Sequence, residues 1–118
     1  MKNILVTGGA GFIGRNFVKR ILKENYHVTI VDNLYRWDKE VIQDISDKVE
    51  FIKGDICNKR LINRLVKNND VILHLAGMSQ VITAIKEPQK CFDYNVTATH
   101  VIAKACAENN KKLISFRD

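Results

Sequence analysis

Apolar and polar positions along the chain follow two different periods. Short apolar, β-branched runs occur at Asn3 to Thr7 (NILVT), in HVTIVDN ending on Asp32, from Val49 to Lys53, in DVILHLAG and in KKLISF. Between them, apolar residues recur at helical spacing: Ile13, Phe17 and Ile21 beside Val18 and Leu22, then Leu61, Ile62, Leu65 and Val66, then Phe92, Val96, Thr99, Ala103 and Cys106. Short β-rich runs mark strands, and recurrence every three to four residues marks amphipathic helices. The pattern predicts five strands, a helix after the first of them, a helix from about Asn58 to Lys67 and a longer one from about Gln89 to Asn109. A short helical candidate lies at Asp38 to Asp44, and MSQVITAIKEP reads as a loop closed by Pro88, the only proline.

Strands that alternate with helical runs across short loops specify right-handed crossovers and a parallel sheet. The unbroken apolar stretch of DVILHLAG fits a central strand covered on both faces. The expected architecture is α/β, a Rossmann-type parallel sheet in the order 3-2-1-4-5 that is truncated after its fifth strand. No linker, repeat or low-complexity tract divides the chain, so residues 1–118 form one domain. A chain this short builds one modest core, burying roughly 65% of its unfolded surface.

Glycines punctuate the first strand–helix junction. Gly9, Gly11 and Gly14 fit G-x-G-x-x-G, and Gly8, Gly11 and Gly14 fit G-x-x-G-x-x-G. A tight turn needs φ > 0, a pyrophosphate needs bare backbone, and close helix packing needs a missing side chain. The helix start then offers free N–H groups and partial positive charge to phosphates. A glycine turn without a ligand is the alternative, and the strand before, the helix after and the acid at the tip of the second strand favour the dinucleotide. Asp32 there can accept from both adenosine ribose hydroxyls and would repel a 2′-phosphate, which selects NAD over NADP. A turn-initiating Asp before Asn33 is the alternative for that residue, and the strand–loop–helix unit that precedes it favours the ligand.

Composition narrows the partners. With 46% hydrophobic residues the chain reads as globular, and 19 basic against 13 acidic residues give a formal charge of +6. That balance suits an anionic partner. The basic residues are nevertheless dispersed through KRILKEN, NKRLINRLVKNND and AENNKK without interleaved aromatics, which reads as a solvated face and against nucleic acid. Three cysteines without a C-x-x-C pair argue against a disulfide framework, and His27, His74 and His100 lack metal-ligand spacing, so no metal is expected. The first strand begins within three residues of Met1, and no apolar run approaches the ~18 residues of a span. Neither signal peptide nor membrane partner is expected, and a cytoplasmic location follows.

Five segments in register, TGGAGFIG, VDN, GDI, HLAG and CFDYNVTAT, make the chain resemble the extended short-chain dehydrogenase/reductase family, which includes NAD-dependent sugar-nucleotide epimerases and dehydratases. The resemblance spans essentially the whole chain. It implies that the backbone amides of Phe12 and Ile13, following Gly8, Gly11 and Gly14 in the turn, lie near the pyrophosphate. It implies also that Asp32 and Asn33 sit at the adenosine ribose, and that Asp55 and Ile56 border the adenine, with the Asp55 carboxylate accepting from its exocyclic amine. Capping of the following helix is the other role open to Asp55. By the same resemblance Leu75, Ala76 and Gly77 line the nicotinamide side, and Asn95 supports the loop near the active site. An asparagine satisfied by backbone groups is the structural alternative for Asn95. Gln80 and Ala98 stand where family members often carry serine and glycine.

Family members place a Ser/Thr just beyond the fifth strand and a Tyr-x-x-x-Lys pair on the next helix, where the tyrosine exchanges a proton with substrate. ISFRD closes the chain before either, so no catalytic residue is assigned. Tyr35 and Lys39 share that spacing in YRWDK but follow the second strand, and Ser115 lies inside the fifth. The expected function is the NAD-binding portion of a sugar-nucleotide epimerase/dehydratase-like protein, not catalytically competent alone. A nucleotide sugar becomes a partner only if the missing C-terminal part is supplied. A stand-alone NAD-binding sensor or docking module is the alternative, and a basic nucleic-acid binder on the same scaffold a third reading. An open fifth-strand edge would favour self-association.

Overall fold

Parallel strands cannot be joined by tight hairpins, so each strand here is followed by a crossover that returns the chain to the same end of the sheet. The computed structural model describes residues 2–9, 12–33, 43–75 and 86–115. Its elements are β1 (Asn3–Thr7), α1 (Phe12–Leu22), β2 (His27–Asp32), β3 (Glu50–Lys53), α2 (Lys59–Lys67), β4 (Val71–His74), α3 (Pro88–Phe92), a π-helical segment (Asp93–Thr97), α4 (Ala98–Glu108) and β5 (Lys112–Ser115). The sheet order is β3-β2-β1-β4-β5 with every neighbouring pair parallel, as the alternation of strands and helices predicted. Residues 34–42, which hold most of the short helical candidate, and residues 76–85 of the loop before Pro88 lie outside the described residues.

Side chains alternate across a strand, and here the alternation builds two cores. Leu5, Val31 and Ile72 face one side, where α2 and α4 contribute Ile62, Leu65, Val66, Val101, Ile102, Ala105 and Cys106. Ile4, Val6, Val28, Ile30 and Leu73 face the other, where Val18 of α1 and Ile45 cover them. Burial of β4 on both faces is what its unbroken apolar run required. At the amino ends of β1 and β4, the Asn3 N–H donates to Asp70 Oδ2 and the Asp70 N–H to the Asn3 carbonyl, both at 2.8 Å. That reciprocal pair pins the register of the two central strands.

Helix boundaries follow local chemistry. Asn58 caps α2, its Oδ1 accepting from the Leu61 N–H at 3.1 Å, so the expected start at Asn58 is the cap itself. Pro88 opens α3 in the first turn, where a missing N–H costs nothing. The expected single helix from Gln89 to Asn109 is instead broken by the π segment, in which the Ala98 N–H reaches back to the Asp93 carbonyl. One extra residue in a turn rotates the remainder of the helix by about 100°. The stripe of Phe92, Val96, Thr99, Ala103 and Cys106 therefore does not form one buried face. Phe92 and Val96 are 53% and 50% exposed, whereas Ala98, Val101, Ile102, Ala105 and Cys106 are buried.

The corrected face has a measurable consequence. Ile102→Ala should lower the unfolding free energy by roughly 2–5 kcal/mol, because it empties a packed site, while Val96→Ala should cost under ~1 kcal/mol. Denaturant titration of both variants reads the difference, and equal losses would restore the uniform stripe.

Candidate functional site

All five strands end toward one edge, and hydrogen bonds carry the ladders one step beyond them. The Gly8 N–H donates to the Val31 carbonyl, the Leu75 N–H to the Thr7 carbonyl and the Gly54 N–H to the Asp32 carbonyl, each at 3.1 Å. With Thr7 paired to Val31 and His74, Gly8 is flanked by Asp32 on one side and Leu75 on the other. Strand order reverses between β1 and β4, and ligands of open parallel sheets gather at the carboxyl ends beside such a reversal.

The turn after β1 is bare backbone for identifiable reasons. Gly8 has φ 74°, in the left-handed region that favours glycine. A Cβ on Gly9 would lie 2.6 Å from Ile30 Cγ2. A Cβ on Gly14 would collide with the Gly8 carbonyl oxygen and lie 2.8 Å from Gly9 Cα. Gly14 thus lets α1 rest on the turn itself, which turns the start of the helix toward the strand ends. No acidic residue occupies the first turn of α1, so nothing there neutralises its positive end. Phe12 and Ile13 are the first residues of that helix, where N–H groups lack intrahelical partners. Gly11, Ala76 and Gly77 lie outside the described residues, as do Tyr35 and Lys39.

The acids divide their work. Asp32 is half-buried at the end of β2, with Asn33 directly after it. Asp55 is exposed, and its Oδ1 accepts from the Cys57 N–H at 2.9 Å, closing a local turn. Helix capping falls to Asn58, so the role weighed for Asp55 as cap of α2 is not the one it plays. Ile56 is buried in the core beside Val31 and Ile62, anchoring that turn from below. The Cys57 thiol donates to the Asp93 carbonyl at 3.3 Å. Burial, with the Asp55 and Asp93 carboxylates nearby, pushes this thiol up to about 11, so it stays protonated and serves as a strap rather than a nucleophile.

His74, the last residue of β4, is 3% exposed. Its Nδ1 lies 2.6 Å from Thr7 Oγ1 and its Nε2 3.0 Å from Thr99 Oγ1. Thr7 Oγ1 also accepts from the Leu75 N–H at 3.1 Å, and the Thr99 hydroxyl donates to the Asn95 carbonyl at 2.9 Å. Asn95 itself is exposed in the π segment. Sequence reasoning misses the Thr7–His74–Thr99 contacts, whose only signal is a histidine inside an apolar strand. Ser115, opposite His74 in the register, is exposed at the end of β5. Among the described residues, no cluster of three His, Cys, Asp or Glu could hold a metal, and no helix is long and apolar enough to cross a membrane.

Comparison with known proteins gives this edge a context. The model of the NAD dependent epimerase/dehydratase family matches residues 4–117. A bifunctional UDP-glucose 4-epimerase and UDP-xylose 4-epimerase from Arabidopsis thaliana is 38% identical, with 98% of this chain and 36% of that protein covered. A dTDP-glucose 4,6-dehydratase from Mycolicibacterium smegmatis is 35% identical, covering 93% of this chain and 34% of the relative. Among solved structures, a UDP-glucose 4-epimerase from Stenotrophomonas maltophila with bound NAD and formylated UDP-arabinopyranose superposes with a TM-score of 0.88 at 28% identity, over 98% of this chain and 36% of that one. The chain therefore spans about a third of the length of the curated relatives it matches.

Burial of His74 makes stability depend on pH. Desolvation brings the imidazole down from 6.5 to about 4. Between those values the unfolded chain binds the proton and the folded one does not, so this contribution is complete above about pH 6.5 and is lost as pH falls toward 4. The full difference corresponds to roughly 3 kcal/mol. Urea unfolding from neutrality downward should show the decline, and His74→Gln should flatten that part of the profile. Identical pH profiles for the two proteins would refute it.

Proposed function

Because this chain belongs to the NAD dependent epimerase/dehydratase family, we propose that it is the dinucleotide-binding portion of a sugar-nucleotide epimerase or dehydratase. The observation that carries the proposal is the close approach of Gly14 to the Gly8–Gly9 backbone, with Asp32 on the neighbouring strand. The contact strips side chains from a turn where a pyrophosphate needs backbone N–H groups, and Asp32 ends the neighbouring strand, where an acceptor for a ribose is needed. These residues fit NAD.

In this reading the backbone of Gly8, Gly11, Phe12 and Ile13 donates to the pyrophosphate, and Gly14 holds α1 against the turn. Asp32 and Asn33 accept from and orient the adenosine ribose. Asp55, whose Oδ1 is already used by the Cys57 N–H, turns its other oxygen to the adenine amine, over the buried Ile56. Leu75, Ala76 and Gly77 line the nicotinamide side, and Asn95 supports the loop beside it. Bound NAD supplies a hydride acceptor. The chain spans about a third of the length of its curated relatives, and none of the residues placed here is assigned proton transfer to a nucleotide sugar or the choice of sugar. A cytoplasmic setting suits such a cofactor.

Exposed apolar groups bear on the partners of the isolated chain. Phe92, Val96 and Ile114 lie 53%, 50% and 44% exposed, on the helix flank and on the edge strand β5. Unpaired strand edges and exposed apolar groups invite contact with another chain. Self-association through the exposed β5 edge and these apolar groups is part of the proposal.

Calorimetry tests the cofactor assignment: the chain should bind NAD more tightly than NADP, and Asp32→Ala should narrow the preference by about tenfold, equivalent to ~1.4 kcal/mol of relieved repulsion. Equal or tighter NADP binding by the unmutated chain overturns the role of Asp32. Light scattering tests the surface: average mass should rise with concentration and fall toward the monomer in a Phe92→Ser, Val96→Ser double variant. A sharp monomer at high concentration removes self-association from the proposal.

A further inference from the structure

The donors and acceptors around His74 favour one arrangement. The Thr99 hydroxyl gives its hydrogen to the Asn95 carbonyl, so Thr99 Oγ1 can only accept from the imidazole at 3.0 Å. A neutral imidazole has one donor and one acceptor nitrogen. Nε2 therefore carries the hydrogen, and Nδ1 accepts from the Thr7 hydroxyl at 2.6 Å. Thr7 Oγ1 in turn receives the Leu75 N–H, which it shares with the Thr7 carbonyl. A continuous chain thus runs from the Leu75 amide through Thr7, His74 and Thr99 to the Asn95 carbonyl.

We propose that His74 is a positioning residue which, as its Nε2–H tautomer, holds the ligand-facing turn after β1 in register with the π segment of the long helix. Both ends of the chain are structurally singular. At one end, Thr7 and Leu75 are the residues that immediately precede and flank Gly8, so the imidazole is fastened to both segments that border the turn. At the other end, Asn95 lies in the π segment. The extra residue of that turn rotates α4 by about 100° relative to an uninterrupted helix, and this brings Thr99 round to the end of β4 while Phe92 and Val96 face outward. The π turn is the device that supplies His74 with its acceptor. The buried network is directional along its length, so displacement at Thr99 is passed to Thr7 and Leu75.

The inference does not depend on which nucleotide the turn accepts, and its test needs none. In the uniformly ¹⁵N-labelled full chain, a long-range ¹H–¹⁵N correlation spectrum should show Nε2 of His74 protonated and Nδ1 unprotonated. Thr99→Val, which keeps the shape and removes the hydroxyl, should speed amide exchange at Gly8 and Leu75 by about tenfold beyond the change at Ile4 and Val71, which lie at the far ends of the same strands. Thr99→Ser should restore both the tautomer signature and the protection. A local packing role would confine the change to the π segment and α4, or spread it evenly along β1 and β4. Either of those patterns, or an Nδ1–H tautomer in the unmutated chain, overturns the proposal. Should Thr99→Val fail to fold, the tautomer of the unmutated chain and its retention in Thr99→Ser decide.

Discussion

The approach of Gly14 to the carbonyl of Gly8 is the contact on which the remaining arrangement rests. A side chain at Gly14 would push α1 off the turn, because it meets the Gly8–Gly9 backbone, whereas one at Gly9 would press on Ile30 of β2. Ile30 could repack in part, but backbone cannot retreat without unravelling the ladder that the Gly8 N–H makes with Val31. The position of α1 then sets how Val18 reaches the core beneath β1 and β2. Packing and ligand chemistry are therefore not separate demands here: the missing side chains that let α1 seat its apolar face are the same ones that leave N–H groups open to an anion.

Strand register converts that local contact into a site. Asn3 and Asp70 fix β1 against β4 at one end, and Gly8, Gly54 and Leu75 continue the ladders at the other. Because the ladders are in step, Asp32, Gly8 and Leu75 finish side by side. The central strands β1, β2 and β4, buried on two faces, leave few places for polar groups. His74 is bound to residues 67 and 25 positions away. Such groups are costly when unsatisfied, so the network constrains the fold alongside the apolar core.

Much of this is legible in the order of residues, and the failures share a cause. Strand and helix order, the central placement of DVILHLAG and the glycine turn follow from periodicity and from steric limits that are local to the chain. Features set by contacts across the sheet escape such reasoning. The stripe through Phe92 and Val96 assumes an unbroken 3.6-residue period, and Ala98 and Ala105, small enough to pass as neutral, complete the buried face with Val101, Ile102 and Cys106. Asp55 is a plausible cap for α2 by its chemistry, yet Asn58 stands closer to the helix start and takes that role, which leaves Asp55 to close the preceding turn. His74 carries no spacing signal, because Thr7 and Thr99 meet it only once three separate elements have packed.

The misread helix and the overlooked histidine are one physical fact seen from two directions. A π turn is less favourable than the α-helical geometry it interrupts, and it persists where surrounding contacts select it. Here two contacts grip it from the inner side: the Cys57 thiol on the Asp93 carbonyl, and the His74–Thr99 pair ending on the Asn95 carbonyl. Cys57 follows the turn closed by Asp55, and His74 ends the strand beside Gly8. Both grips therefore originate at the strand ends that border the candidate site, one near the adenine side of the proposed nucleotide and one at the glycine turn. A helix governed only by its own hydrogen bonds would keep the α-helical period. This one takes a π turn where the sheet edge holds it, and Phe92 and Val96 are exposed beside it.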